Sequence, residues 1–268
     1  MTLFRQHAKS EAVSTLVWAI CVGLFGFFTT YMFEMMVTSG SLSDMEKMLG
    51  NATGVVKMFI GGPVGLSGIM GWLAGFAMGG WTSFVYMIFV AMFVVGMITR
   101  EMDRRTMEFV LSLPVSRANL LLSRYAVLVC SLVAMLLAHF LGVWGTAAAL
   151  GYDVPAGRLA MVELNGFLLY LCMGSLMLLV SLFLDDYGAG TSAMLGIGLG
   201  LDVLYMVTGE SAGAMKSLHD VLPFAFFDSQ SILLKGTVPW GDMTILAVGA
   251  GLFLALSIWV FQRKQIAV

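Results

Sequence analysis

The chain has 268 residues, of which 59% are hydrophobic and 11% charged, with a mean hydropathy of +0.93. A water-soluble domain of this length needs far more polar surface, so the composition excludes a soluble enzyme. The net charge of -2 provides no cationic footprint for phosphates, and no nucleic-acid partner is expected.

Charge is clumped, which leaves uncharged stretches able to cross about 30 Å of hydrocarbon as helices rising about 1.5 Å per residue. The fold class this predicts is an all-α integral membrane protein. It is expected to form one transmembrane domain over residues 1–268, with six spans and a short cytoplasmic helix between spans 2 and 3. The N-terminal segment MTLFRQHAKSEA is polar, no clean small-residue cleavage site follows it, and it reads as a retained cytoplasmic lead into the first span.

Span 1 covers about 12–34 and stops at Glu34. An outer loop over about 38–78 carries Asp44, Glu46 and Lys47 and has room for an amphipathic or re-entrant segment. Its later part, from Phe59, is glycine-rich and interrupted by Pro63, so it reads as an interfacial or re-entrant approach rather than a full crossing. Span 2 covers about 79–99, with Trp81 as an interfacial anchor.

The next segment, REMDRRTMEFVLSLPVSRANLLLSR, concentrates charge. As a helix over about 100–112 it sets Glu101 with Arg105, and Arg104 with Glu108, four residues apart, where opposite charges support one another. Met102, Phe109 and Leu113 form an apolar stripe, Pro114 ends the pattern, and Ser116 is placed to cap the next helix. Such a helix either lies on anionic lipid or seats in a groove of a soluble partner. Its mixed sign favours the partner, because Glu101, Asp103 and Glu108 weaken attraction to an anionic surface.

Spans 3 to 6 follow at about 120–144, 164–184, 187–207 and 243–261. One side of the six spans collects Arg5, Lys9, Arg100, Arg104, Arg105, Arg117, Arg124, Arg263 and Lys264; the other collects Lys47, Lys57, Arg158, Lys216 and Lys235. The excess on the first side predicts that both termini are cytoplasmic.

Isolated polar residues inside the spans need an account. Asp202 is costly to bury, so it is read either as a pathway or coupling residue or as lying near the outer end of a short span. His139 lies well inside span 3 without a companion Cys, Asp or second His, which favours a helix-to-helix hydrogen bond over a metal ligand. Glu34 and Glu163 read as solvated boundary residues near the outer surface. Cys21, Cys130 and Cys172 fall in apolar stretches without ligand spacing, and the 22 methionines are scattered, so no metal site is expected.

The stretch EMDRRTMEFVLSLPVSRANLLLSRY resembles the signature of the ABC-2 type permeases, the membrane subunits of type V ABC transporters. Glu101 matches the signature's first glutamate, and Ser112, Leu113, Pro114, Val115, Ser116 and Arg117 match its later run; Arg105 and Thr106 depart from the usual small residue. Chain length, the outer loop after span 1 and six spans extend the likeness over nearly the whole chain. The resemblance implies a non-catalytic subunit of a bacterial or archaeal cell membrane, multi-pass, acting as an exporter of a hydrophobic or amphipathic substrate. It implies as partners two cytosolic ABC ATPase subunits, which would hold ATP and Mg, and a second permease, identical or homologous, all working in membrane lipid. The chain itself has no GxxxxGK[ST] loop and binds no cofactor on this reading. The helix around Glu101, Arg104, Arg105, Glu108, Phe109, Leu113 and Pro114 would be the coupling helix, with Asp202 and His139 as candidate pathway residues. Two alternatives stand beside it: a proton-coupled secondary transporter using Asp202, and a membrane anchor for another complex.

Overall fold

The computed structural model describes residues 2–42, 44, 47, 68–99, 103, 116–209 and 214–264. Within these, α1 (Thr2–Ser39) is followed by a short helix α2 (Ile69–Trp72) that widens into a π turn at Leu73–Ala77, and then by α3 (Gly80–Met97). Next come α4 (Arg117–Ala149), α5 (Ala156–Ser181), α6 (Tyr187–Thr208), the short α7 (Ala214–Val221), a 3-10 turn at Pro223–Phe226, a π turn at Ser231–Lys235, and α8 (Trp240–Arg263). Six helical stretches are long and apolar enough to cross a membrane, the second running from Ile69 to Met97. The protein is an all-α, multi-pass membrane protein.

Local chemistry explains the boundaries. Ser116 caps α4 as its sequence position predicts, its hydroxyl accepting from the Asn119 amide at 3.2 Å. Asp186 does the same for α6, accepting from Ala189 N at 2.6 Å. Beyond α4, Gly151 takes φ 80 so that the Tyr152 amide can turn back to the Ala147 carbonyl at 2.9 Å. The helices overrun most of the expected spans: α1 starts at Thr2 rather than 12, α4 ends at Ala149 rather than 144, and α5 starts at Ala156 rather than 164. Charged residues mark where hydrocarbon ends, whereas a helix continues until a cap or breaker stops it.

The described part of the glycine-rich approach is a bent helix inside the bundle, and the second apolar crossing therefore begins at Ile69 rather than at about 79. Trp72, Leu73 and Ala77 are fully buried. Trp72 Nε1 donates to the Thr29 carbonyl of α1 at 2.8 Å, and its ring stacks on Phe76 at 4.7 Å. The break before α3 falls at Gly79, where a Cβ would come within 1.9 Å of the Gly75 carbonyl oxygen. Only glycine fits there.

Pairwise contacts give the helix directions. Tyr86 and Val90 of α3 meet Tyr170 and Gly174 of α5 in parallel register. Val95, Met87 and Gly80 of α3 meet Gly190, Gly198 and Met206 of α6 in antiparallel register. On α4, Ser131 and Gly142 pair in parallel with Thr15 and Gly23 of α1, which lies on the bundle's flank with Leu16, Val17, Ile20 and Leu24 exposed. On α8, Gly249 packs on Cys172 of α5 while Ile245, Val248 and Leu252 face outward. Such apolar outer faces suit a lipid environment, and small residues let helix backbones approach where no hydrophobic force separates protein from lipid.

Candidate functional site

Two polar arrangements stand out in this apolar bundle. The first is buried toward the end away from the termini. His139 on α4 is fully buried, and its Nδ1 lies 2.8 Å from Oε1 of Glu163 on α5, itself 9% exposed. The His139 ring meets the ring of Tyr86 on α3 edge to face at 6.4 Å, and Tyr86 stacks on Tyr170 of α5 at 4.4 Å. Ser83 on α3 lies beside the Tyr170 side chain. Asp202 on α6 is 2% exposed and within electrostatic range of Tyr170 and Tyr205. Four helices thus contribute to one buried polar layer.

This layer is incompletely satisfied. The Tyr86 hydroxyl, His139 Nε2 and Asp202 Oδ2 are all buried without a hydrogen-bond partner among the described residues. Buried polar atoms are normally paired, and unpaired ones concentrate at places with a job to do. Over the layer lies the segment after α6. Asn165 Nδ2 donates to the Phe226 carbonyl at 3.2 Å and Asn165 Oδ1 accepts from Asp228 N at 3.0 Å, while Ser229 reaches the Ala74 carbonyl at 2.8 Å. Those bonds hold the segment after α6 against α5 and the π turn at Leu73–Ala77 as a cover.

Near the same end, the Tyr152 hydroxyl donates to Oε2 of Glu34. Outside the spans, that bond to the carboxylate, aided by burial, pushes the Tyr152 phenol up to about 12. Glu34 and Glu163, expected to be solvated boundary residues, are both hydrogen-bonded instead, Glu34 to the turn between α4 and α5 and Glu163 to α4. The expected helix-to-helix bond of His139 has Glu163 as its partner.

The second arrangement lies at the end that carries the termini. Arg117, the first residue of α4, donates through Nη1 to the carbonyls of Lys264 at 2.7 Å and Phe261 at 3.3 Å. Lys264 Nζ in turn donates to the Leu182 carbonyl at 2.6 Å and pairs with Asp185 at 2.8 Å. The start of α4, the end of α8 and the turn between α5 and α6 are thereby clasped together.

Of the residues singled out from sequence, Asp202 and His139 both enter the buried layer. Glu101, Arg104, Arg105, Glu108, Phe109, Leu113 and Pro114 lie outside the described residues, as does the helix expected over 100–112. Sequence reasoning missed Tyr86, Ser83 and the pairing of Glu163. A signal was present, since Glu163, Gly166, Tyr170 and Gly174 recur at three- and four-residue steps along α5 and mark one inward face. Among the described residues no three or more His, Cys, Asp or Glu side chains are grouped to hold a metal ion.

No curated protein matches the chain. Residues 79–266, more than two thirds of it, match the family described as ABC-2 family transporter protein. The match begins at the break before α3, takes in the charged segment after it and the clasp built on Arg117, and ends just past α8. The chain therefore belongs to the ABC-2 family of membrane transporters.

Proposed function

We propose that this permease is the membrane half of an ATP-driven exporter of hydrophobic or amphipathic substrates. Two cytosolic ABC ATPase subunits would supply hydrolysis, and a second permease, identical or homologous, would complete the path. On this reading the termini face the cytoplasm of a bacterial or archaeal cell, and the segment with Glu101, Arg104, Arg105, Glu108, Phe109, Leu113 and Pro114 docks on the ATPase.

One observation carries the reading. The charged segment leads directly into Arg117, whose side chain grips the end of α8, and Lys264 passes the connection to the turn between α5 and α6. A push delivered just before Ser116 is thus delivered to three spans at once. Movement of those spans would open the buried layer around His139, Glu163 and Asp202, whose unpaired polar atoms would line a path once hydrated.

Replacing Glu101→Arg tests it, with transport in vesicles, ATPase co-purification and membrane insertion measured together. The expected result is normal insertion with loss of ATPase binding and transport. Normal transport by the variant overturns the docking assignment. A second reading, a proton-coupled carrier, draws on the unpartnered Oδ2 of Asp202. It predicts transport driven by a proton gradient without nucleotide, which the same vesicles measure.

A further inference from the structure

Between α1 and α3, at the end that carries the termini, lies a small crevice that is open on one side. Its walls are two helical stripes, with Tyr187 at the start of α6 beside them. Glu11, Ser14 and Trp18 follow one another at steps of three and four on α1, and Phe89, Phe93 and Gly96 do so on α3. Trp18 meets Phe89 edge to face at 5.7 Å and closes the inner end, while Phe93 lies beside Phe89 at 5.5 Å. In the antiparallel register this contact sets, Glu11 comes opposite Gly96 at the mouth.

Polarity therefore runs one way along the crevice. A carboxylate and a hydroxyl stand at the mouth, and aromatic hydrocarbon lies about 10 Å deeper, seven residues up the helix at about 1.5 Å each. A leaflet has the same profile, with headgroups at the boundary and chains inward. Glu11 makes no hydrogen bond or ion pair among the described residues, and none of the residues lining the crevice is cationic. An anionic head is repelled here, and a neutral one leaves the carboxylate uncompensated beside an apolar wall. An ammonium head meets the charge.

We propose that this crevice binds an amphiphile with an ammonium head and a hydrocarbon chain, the head on Glu11 and the chain against Trp18 and Phe93. The exporter reading enters only in treating such an amphiphile as cargo; a bilayer lipid with an amine headgroup offers the same chemistry.

The test uses the purified full-length chain in neutral maltoside micelles, with tryptophan fluorescence quenched by brominated dodecyltrimethylammonium and by brominated dodecyl sulfate as the anionic match. The cationic probe should quench saturably, Trp18→Phe should remove that component, and Glu11→Gln should weaken it about fivefold, as expected for loss of a partly exposed charge pair. Glu11→Asp keeps the charge and should retain most of the binding, which separates loss of charge from misfolding. Equal quenching by the anionic probe, or unchanged affinity in Glu11→Gln, overturns the proposal. Native mass spectrometry with phosphatidylethanolamine and phosphatidylglycerol identifies the source: Glu11-dependent retention of the amine lipid marks a lipid, and saturable probe binding without lipid retention marks a cargo. Failure of ATPase co-purification would overturn the exporter reading and leave these binding results standing.

Discussion

Arg117 Nη1 stands 2.7 Å from the carbonyl oxygen of Lys264, so the first turn of α4 is fastened to the residue immediately after α8. The bond is charge-assisted and partly buried, a class worth about 1.5–3 kcal/mol. Arg117→Ala should raise amide exchange in the last turn of α8 by roughly tenfold, a change of about 1.4 kcal/mol, and uncouple transport from ATP turnover. Arg117→Lys should restore part of both, because it keeps the charge without the guanidinium's reach. Unaltered exchange in the alanine variant would show that the clasp is not holding α8.

His139 and Glu163 form a buried pair, and removing one partner strands the other. Either His139→Ala or Glu163→Ala should destabilise the protein by about 1–3 kcal/mol, whereas replacing both with apolar residues of similar volume should be milder than either single change. Thermal denaturation of the detergent-purified variants in a double-mutant cycle measures the coupling. Additive effects would mean that the 2.8 Å contact contributes nothing by itself.

The packing of α1 on α4 makes a prediction with its own control. A Cβ on Gly142 would come within 2.2 Å of the Gly23 carbonyl oxygen, and one on Gly145 meets nothing within 4 Å. Gly142→Ala should therefore push the helices apart at a cost of about 1–3 kcal/mol. Gly145→Ala, three residues along the same helix, should be neutral or stabilise by about 0.5–1 kcal/mol through reduced chain entropy. Melting temperatures of the two variants, measured side by side, decide the matter.

Tyr152 provides a pH test outside the spans. Its phenol is held neutral by donating to Glu34 and is pushed up to about 12 from its ordinary 10.0. A raised value means that the stabilisation is complete below pH 10 and is lost as pH rises toward about 12. Stability should therefore fall over that window in the native protein, and Tyr152→Phe should flatten the fall. Absorbance titration of the two proteins should differ by one tyrosine ionising late; a difference centred at 10.0 would count against the bond.

The sequence alone determined the class of fold and the family. Uncharged runs of membrane-spanning length are a local property, because each helix must satisfy its own backbone in hydrocarbon, and that requirement is written residue by residue. The caps at Ser116 and the run from Glu101 to Arg117 are equally local. Tertiary structure decided what the isolated polar residues do. Glu163 looked like a boundary residue because a carboxylate seven residues into α5 is equally suited to solvent or to a histidine on another helix. Only the antiparallel packing of α4 on α5 selects His139, which precedes Glu163 by 24 residues in the chain. The same holds for the clasp: Arg117 and Lys264 are 147 residues apart, and no periodicity links them. Spans are set by the chain's exchange with lipid, whereas polar layers and clasps are set by which helix faces which, and that depends on the close approaches that glycines such as Gly23 and Gly142 permit.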